Sequence, residues 1–234
     1  MNISFLDSMK NSRIALAAKA LVAYIVGVVV LGALFFLPAG SIYFEGGWRM
    51  LGLLFGPMFL MGVALLIFSP DLLARRLNSK EKRAKQSGVI RFSGLVFLAG
   101  FVLAGLDWRC GWGGASLMAT TIASVVFLVG YLMYFEVMRE NVWLSRTIEV
   151  AEGQEVISSG LYGIVRHPMY TSTLLMFLAM PLVLGSWWAA IPFAFYVPLI
   201  VVRILDEERL LCDELRGYSD YCTRIRWRLI PFIW

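Results

Sequence analysis

The side chains that could do chemistry lie on both sides of one long charge-free segment. No residue from 169 to 202 carries a charge. Residues 160–170 lead into the start of this segment and hold the only histidine, His167, together with an arginine and two tyrosines. Residues 203–208 follow it and hold an arginine and three acidic side chains. A helical hairpin over the apolar segment would bring its two ends together, so we expect these groups to converge at one membrane surface.

The residue types in this group suit the binding of small charged molecules. Arg203 and Glu207 are four positions apart, so in a helix they lie on one face. An arginine offers a planar fork for a carboxylate or a similar anion, and tyrosine rings can hold a cation beside their faces. Each group alone also has a structural interpretation, as an ion pair within a helix, an interfacial tyrosine or a buried histidine. Their convergence is what predicts a functional site.

Five short motifs follow one another along the last third of the chain. They are Ser159-Gly160-Leu161-Tyr162, Arg166-His167-Pro168-Met169-Tyr170, Arg203…Glu207-Glu208, Tyr218…Tyr221 and Arg228-Leu229-Ile230-Pro231. In order and spacing they resemble the motifs of the membrane methyltransferases related to isoprenylcysteine carboxyl methyltransferase. The sequence departs from that pattern at Thr171-Ser172-Thr173, where the family commonly has a small residue and then glycine, and at Arg216-Gly217-Tyr218.

The resemblance implies an enzyme that transfers a methyl group from S-adenosyl-L-methionine. The cofactor would bind in a cytoplasm-facing pocket closed by the C-terminal tail. Arg203 would orient the acceptor and, with Glu207, form the catalytic pair. The acceptor would be a lipophilic or lipidated molecule, with a carboxylate favoured, that enters from the bilayer. The implied cofactor-binding residues are Gln154, Val156, Ile157, Tyr162, His167, Pro168, Met169, Tyr170 and Glu207.

Two other functions remain open at this stage. Membrane sterol reductases that use NADPH have a similar Arg-His-containing segment, an acidic cluster and a similar tail, to which residues 221–231 correspond. A membrane scaffold without enzymatic activity is the second alternative, but it gives no reason for His167, Arg203 and Glu207 to converge. An ion pathway is disfavoured because the spans lack the ionisable groups that usually mark one. No residue spacing indicates a metal site, and the three cysteines have neither metal-like nor disulfide-like spacing.

The amino-acid composition indicates that the chain is a membrane protein. Of 234 residues, 59% are hydrophobic and only 16% are charged, with a mean hydropathy of +0.74. Average soluble domains are about 45–50% apolar and about 25% charged, so a soluble globule, a disordered chain and a disulfide scaffold are excluded. The net charge of +5 therefore does not indicate a nucleic-acid partner.

Hydrophobic stretches predict an all-α bundle of about six spans. A bilayer core of about 30 Å needs about 20 apolar residues per helix. Four such stretches come first, and the charge-free segment 169–202 then suggests a tight hairpin that turns near Gly185 and Ser186. We accordingly divide the chain into four N-terminal spans (1–138), with a basic loop at 70–91, and a methyltransferase core of linker, hairpin and tail (139–234). The four stretches are residues 14–38, 49–69, 92–108 and 116–138.

Charge asymmetry predicts the orientation of the bundle. With six spans, residues 1–19, 70–91, 139–170 and 203–234 share one side and carry 19 of the 21 basic residues. Arg49 and Arg109 alone lie on the other side. The positive-inside rule then places both termini in the cytoplasm, and we expect a prokaryotic inner membrane. The basic loop can also contact anionic membrane lipid. Five tryptophans at span ends are typical of an interfacial belt: Trp48, Trp108, Trp112, Trp187 and Trp188.

Overall fold

A computed structural model of the chain describes residues 3–77, 84–144 and 150–234. Within these ranges the protein is helical and contains no β-strand, so the predicted all-α fold class is confirmed. The helices are α1 (Ile3–Ala39), α2 (Glu45–Phe68), α3 (Pro70–Leu77), α4 (Ala84–Cys110), α5 (Leu117–Glu140), α6 (Pro168–Val183), α7 (Ala190–Ala194), α8 (Tyr196–Glu214) and α9 (Tyr218–Arg224), with a 3-10 turn at Gly160–Gly163.

Helices α1, α2, α4 and α5 are long and apolar enough to cross a bilayer. They contain the four predicted stretches, apart from Ser69 and Ser116, which lie just beyond the ends of α2 and α5. Many of their large apolar side chains are exposed, which suits a lipid environment better than water. The chain is therefore an integral membrane protein. The count of six spans stays a prediction.

The segment predicted as a hairpin consists of shorter pieces. Helix α6 has 16 residues, which at 1.5 Å per residue span about 24 Å. Gly185 follows with φ 87°, a left-handed conformation that glycine adopts at little cost. The short helix α7 and the 19-residue helix α8 come next. The second half of α8 carries the acidic residues Asp206, Glu207 and Glu208. Because charged side chains avoid the hydrocarbon core of a bilayer, we expect this half to lie outside that core.

Close helix contacts at small residues hold the bundle together. A Cβ added to Gly130 in α5 would lie 2.8 Å from the Met176 side chain and 3.0 Å from the Ser172 carbonyl in α6. A Cβ at Gly105 in α4 would lie 2.9 Å from the backbone nitrogen of Ala39 in α1. Phenylalanines fill the centre between these pairs. The fully buried ones in the described ranges are Phe35, Phe44, Phe127 and Phe193.

The C-terminal elements meet at one end of the bundle. The amides of Arg166 and His167, just before α6, donate to the carbonyls of Trp227 (2.8 Å) and Arg228 (2.9 Å) in the tail. This pairing brings the tail against the start of α6. Two parts of the sequence-based predictions lie outside the described residues, namely 78–83 in the basic loop and 145–149 in the linker.

Candidate active site

A cleft opens where the linker, the start of α6, the second half of α8 and α9 meet. It has a volume of about 100 Å³ and is partly open to solvent. The residues that line it are Asn141, Trp143, Leu144, Gln154, Glu155, Val156, Ile157, Tyr162, Arg166, His167, Met169, Tyr170, Arg203, Glu207, Leu211, Leu215, Tyr218 and Tyr221.

The structure brings the residues proposed from the sequence into this one cleft, with one exception. Both residues of the predicted catalytic pair and all predicted cofactor residues other than Pro168 line it. Pro168 instead occupies the first position of α6, as expected for a residue with no N–H to leave unpaired. Its contribution in the structure is to start the helix that carries Met169 and Tyr170. What each residue binds stays a prediction.

Three of these side chains form a connected group. The Tyr170 hydroxyl, on α6, donates a hydrogen bond to a Glu207 oxygen on α8. The same hydroxyl accepts from Nε of Arg203 at 2.9 Å. Arg203 and Glu207 are thus both tied to Tyr170, which is only 4% exposed. Because Arg203 and Glu207 are four residues apart on α8, they lie on the same face of that helix. Both can therefore contact the buried Tyr170 hydroxyl.

A second carboxylate organises the floor of the site. Glu208 lies 2.9 Å from Nε of Arg166, 3.1 Å from Nε2 of His167 and 2.7 Å from Nε of Arg228. Burial by itself would raise the pKa of Glu208. The hydrogen bonds from His167 and Arg228, together with the Arg166 charge, outweigh burial and lower this pKa. Glu208 is therefore an ionised carboxylate, and its contacts join α8 to the segment before α6 and to the tail.

Tyr162 anchors the 3-10 turn on the opposite wall. Its hydroxyl accepts a hydrogen bond from the Asn141 amide at 2.9 Å. Its carbonyl accepts from the Tyr221 hydroxyl at 2.7 Å. Burial raises the pKa of Tyr162 to about 12, so the side chain stays a neutral phenol at physiological pH. The aromatic face is thereby fixed beside the cleft.

One end of the cleft is an apolar slot built from α8, α9 and the linker. Leu215, Tyr218 and Tyr221 are buried there and pack against Val156 and Leu211. The rings of Tyr218 and Tyr221 are 5.7 Å apart. The Tyr218 hydroxyl is buried and has no hydrogen-bond partner among the residues that the structure describes. A buried hydroxyl without a partner is costly, and in a cleft it marks a place where a ligand can supply the missing hydrogen bond.

Several cleft residues were not proposed from the sequence. Arg166, Tyr218 and Tyr221 belong to the quoted motifs, and their place in those motifs is the signal that could have placed them here. Nothing in the sequence separates the others from ordinary interfacial or core residues, because they reach the cleft only through tertiary packing. Those others are Asn141, Trp143, Leu144, Glu155, Leu211 and Leu215.

Comparison with known proteins identifies the segment that forms this site. Residues 120–213, from the first turn of α5 almost to the end of α8, match the isoprenylcysteine carboxyl methyltransferase (ICMT) family. The match covers about two fifths of the chain. The resemblance inferred from the motifs is thus confirmed there. The ICMT segment contains Tyr170, Arg203 and Glu207, whereas Tyr218 and the tail follow it.

Two curated relatives are similar over limited regions. A Delta(14)-sterol reductase of Mus musculus is 34% identical over 91 residues, which are 38% of this chain and 22% of that protein. A Delta(14)-sterol reductase of Arabidopsis thaliana is 25% identical over 133 residues, which are 50% of this chain and 34% of that protein. The chain thus matches about a fifth and about a third of their lengths.

Proposed function

We propose that the protein transfers a methyl group from S-adenosyl-L-methionine to a lipophilic acceptor at the cytoplasmic membrane face, with a carboxylate as the favoured acceptor group. The observation that carries the proposal is the Arg203–Tyr170–Glu207 group. It holds an anion-binding guanidinium and a carboxylate together in a cleft at the end of an apolar helix pair. The match of residues 120–213 to a methyltransferase family supports the reaction class.

The cleft has the chemistry that this donor requires. The slot at Tyr218 and Tyr221 offers aromatic and aliphatic surface to a flat base and an unpartnered hydroxyl to its polar edge. Tyr162 and Tyr170 supply aromatic surface, and Glu207 supplies negative charge, for a sulfonium cation. Gln154, Val156, Ile157, His167 and Met169 complete the wall. The donor, when bound, supplies an already activated methyl group.

The role of the chain is then alignment. Arg203 binds the acceptor anion, and because its Nε is held by Tyr170, the plane of the guanidinium is fixed. Tyr170 also connects Arg203, which binds the acceptor, to Glu207, which lies beside the donor. One tyrosine hydroxyl therefore fixes the positions of both groups. Holding two reactants in line can lower a barrier by about 7–11 kcal/mol. A carboxylate acceptor needs no proton transfer during the step.

We further propose that the core of the enzyme is residues 139–234 and that both termini face the cytoplasm. The tail closes the cleft from that side through Arg228. Arg228 contacts Glu208, and its guanidinium lies 5.3 Å from the centre of the Trp234 ring. The polar donor enters from the cytoplasm, and the acceptor enters from the lipid beside α6 and α8.

A reductase that uses NADPH is the second candidate. The observation in its favour is that the two curated relatives described above are Delta(14)-sterol reductases, one of them 34% identical over 91 residues. A nucleotide with an adenine ring would also fit the slot at Tyr218. The two candidates therefore differ in which ligand binds, not in which residues form the cleft.

Calorimetric titration separates the candidates. Detergent-purified protein is titrated with S-adenosylmethionine, S-adenosylhomocysteine and NADPH. We expect micromolar binding of the first two and none of NADPH. His167→Ala should abolish that binding, whereas Arg209→Ala, at an exposed position of the same helix as Arg203, should not change it. Binding of NADPH alone would assign the site to the reductase, and no binding of any of the three would overturn the enzymatic proposal.

A further inference from the structure

A second cavity lies at the opposite end of the bundle from the cleft. It is bounded by the starts of α2 and α5, the end of α4 and the turn at Gly185, and has a volume of about 360 Å³. Leu117 at the start of α5 lines this cavity, and Asn141 just after its end lines the cleft. At 1.5 Å per residue the 24 residues of α5 separate the two by roughly 35 Å. The second cavity, called the distal cavity below, is therefore no part of the methyl-transfer site.

A buried carboxylate in the wall of the distal cavity has no partner within the described part of the chain. Asp107 is 2% exposed, and neither of its side-chain oxygens accepts a hydrogen bond from any described residue. Asp107 also lies in the last turn of α4, where the helix dipole disfavours negative charge. Buried carboxylates in proteins are normally paired or hydrogen-bonded. A cation or a hydrogen-bond donor bound in the cavity would supply the partner that Asp107 lacks among the described residues.

Other groups around the distal cavity favour a cationic ligand. Glu45 adds a second carboxylate. The rings of Phe44 and Trp108 both line the cavity and lie 5.7 Å apart, so they offer aromatic surface to a cation. Thr120 cannot serve Asp107 as a donor, because its hydroxyl already donates to the Leu117 carbonyl at 2.9 Å. A ligand with N–H donors would satisfy the two Asp107 oxygens, which a quaternary amine cannot do.

An arginine in the same cavity indicates what accompanies the cation. Arg49 donates to the Val183 carbonyl at 3.0 Å, and no salt bridge joins it to Asp107 or Glu45. A guanidinium has five donors, so Arg49 has capacity left for an anion such as phosphate. Arg49 and Asp107 line the same cavity without pairing with each other. Such a cavity suits a zwitterionic ligand, whose anionic group would bind the arginine and whose cationic group would bind the carboxylate.

We propose that the distal cavity binds a phosphoethanolamine group, with the ammonium at Asp107 and the phosphate at Arg49. At a membrane surface this group is available as the headgroup of an ethanolamine phospholipid, and it also exists as a soluble zwitterion. The proposal does not depend on the methyltransferase activity, because the two sites lie at opposite ends of α5.

The test measures the thermal midpoint of the full-length protein in nanodiscs of defined lipid. We expect ethanolamine phospholipid to raise the midpoint by several degrees over choline phospholipid alone. Asp107→Asn should remove that increase. In choline phospholipid alone the same variant should be at least as stable as the wild type, because it removes an unpaired buried charge. Asp71→Asn, which alters an exposed carboxylate at the start of α3, should respond to ethanolamine lipid like the wild type.

Further arms of the experiment identify the source of the ligand. Soluble phosphoethanolamine is titrated into choline-lipid nanodiscs, and a rise in the midpoint would assign the site to the free zwitterion as well as the lipid. Arg49→Gln should weaken the response in both arms. An equal midpoint in all lipids without any effect of the soluble compound would overturn the proposal. Loss of stability of Asp107→Asn in choline lipid would overturn it too, since the carboxylate would then have a partner within the protein.

Discussion

At the scale of single residues, the site depends on tyrosines that connect charged groups rather than on charged groups alone. Tyr170 holds Arg203 and Glu207 through one hydroxyl, and Tyr162 links the 3-10 turn to Asn141 and Tyr221. The charged side chains therefore have fixed positions before any ligand binds. Preorganised groups of this kind lose little entropy when the reactants arrive.

Arg203 is expected to act on the acceptor and not on the donor. Arg203→Ala should lower turnover at least 100-fold while the donor affinity changes by no more than about threefold, because the change removes the anion-binding fork but leaves Glu207 in place. Arg203→Lys should recover only part of the activity, since an ammonium lacks the planar fork. Methyl-transfer assays with several lipophilic acids, next to donor titration, check this. Full activity of Arg203→Ala on every acceptor would disprove the assigned role.

Tyr218 is expected to act on the donor. Tyr218→Phe should weaken donor affinity about tenfold, the cost of roughly one hydrogen bond in a desolvated site. The same change should leave the thermal midpoint without ligand equal or higher, because the hydroxyl it removes has no partner in the described ranges of the chain. Tyr221→Phe is the matched control: it loses the hydrogen bond to the Tyr162 carbonyl and should lower the midpoint. A destabilised Tyr218→Phe with unchanged donor affinity would contradict the prediction.

At the scale of elements, the contact between α5 and α6 positions Tyr170 next to α8. Helix α6 begins at Pro168 and carries Tyr170 in its first turn, so any shift of α6 along α5 moves the tyrosine away from α8. The contact is close because Gly130 lets the Met176 side chain and the Ser172 carbonyl approach α5. Small residues serve the same purpose in many membrane helix pairs.

Substitution of Gly130 should therefore separate the two helices. Gly130→Ala puts a methyl group 2.8 Å from the Met176 side chain, and overpacking of this kind costs about 1–3 kcal/mol. Turnover should fall together with the thermal midpoint. Gly56→Ala in α2 is the control, because its methyl group would meet nothing within 4 Å and alanine favours the helix. Equal midpoints for the two variants in a thermal-shift measurement would show that the contact does not limit stability.

At the scale of the whole molecule, the two ends of the bundle differ in charge and in the sites they carry. The cleft lies at the end that holds the basic residues of α8 and the tail, and the distal cavity lies at the end that holds Arg49 and Arg109. The positive-inside rule relates this asymmetry to the orientation in the membrane.

Cysteine labelling tests that orientation. Cys110, at the end of α4, and Cys212, near the end of α8, are both free and exposed. In single-cysteine variants, a membrane-impermeant maleimide should label Cys110 from outside intact cells and Cys212 only in inverted vesicles. Labelling of both in denatured protein serves as the control. Labelling of both positions from one side, or the reverse pattern, would refute the cytoplasmic placement of the cleft.

The amino-acid sequence by itself determined the membrane class and the four long helices. These features depend on local composition and on the length of each apolar run. Nine of the ten site residues that were proposed from the sequence line one cleft, and their roles stay predictions.

Only the tertiary structure decided which groups are paired and which are left without a partner. Glu207 and Glu208 are neighbours in the sequence, but one meets Tyr170 and the other meets two arginines and a histidine. The orphaned Tyr218 hydroxyl and the orphaned Asp107 carboxylate are invisible in the sequence. The partner of a buried polar atom is often a residue far away in the sequence that packing brings close. A local sequence pattern does not show which distant residues will meet.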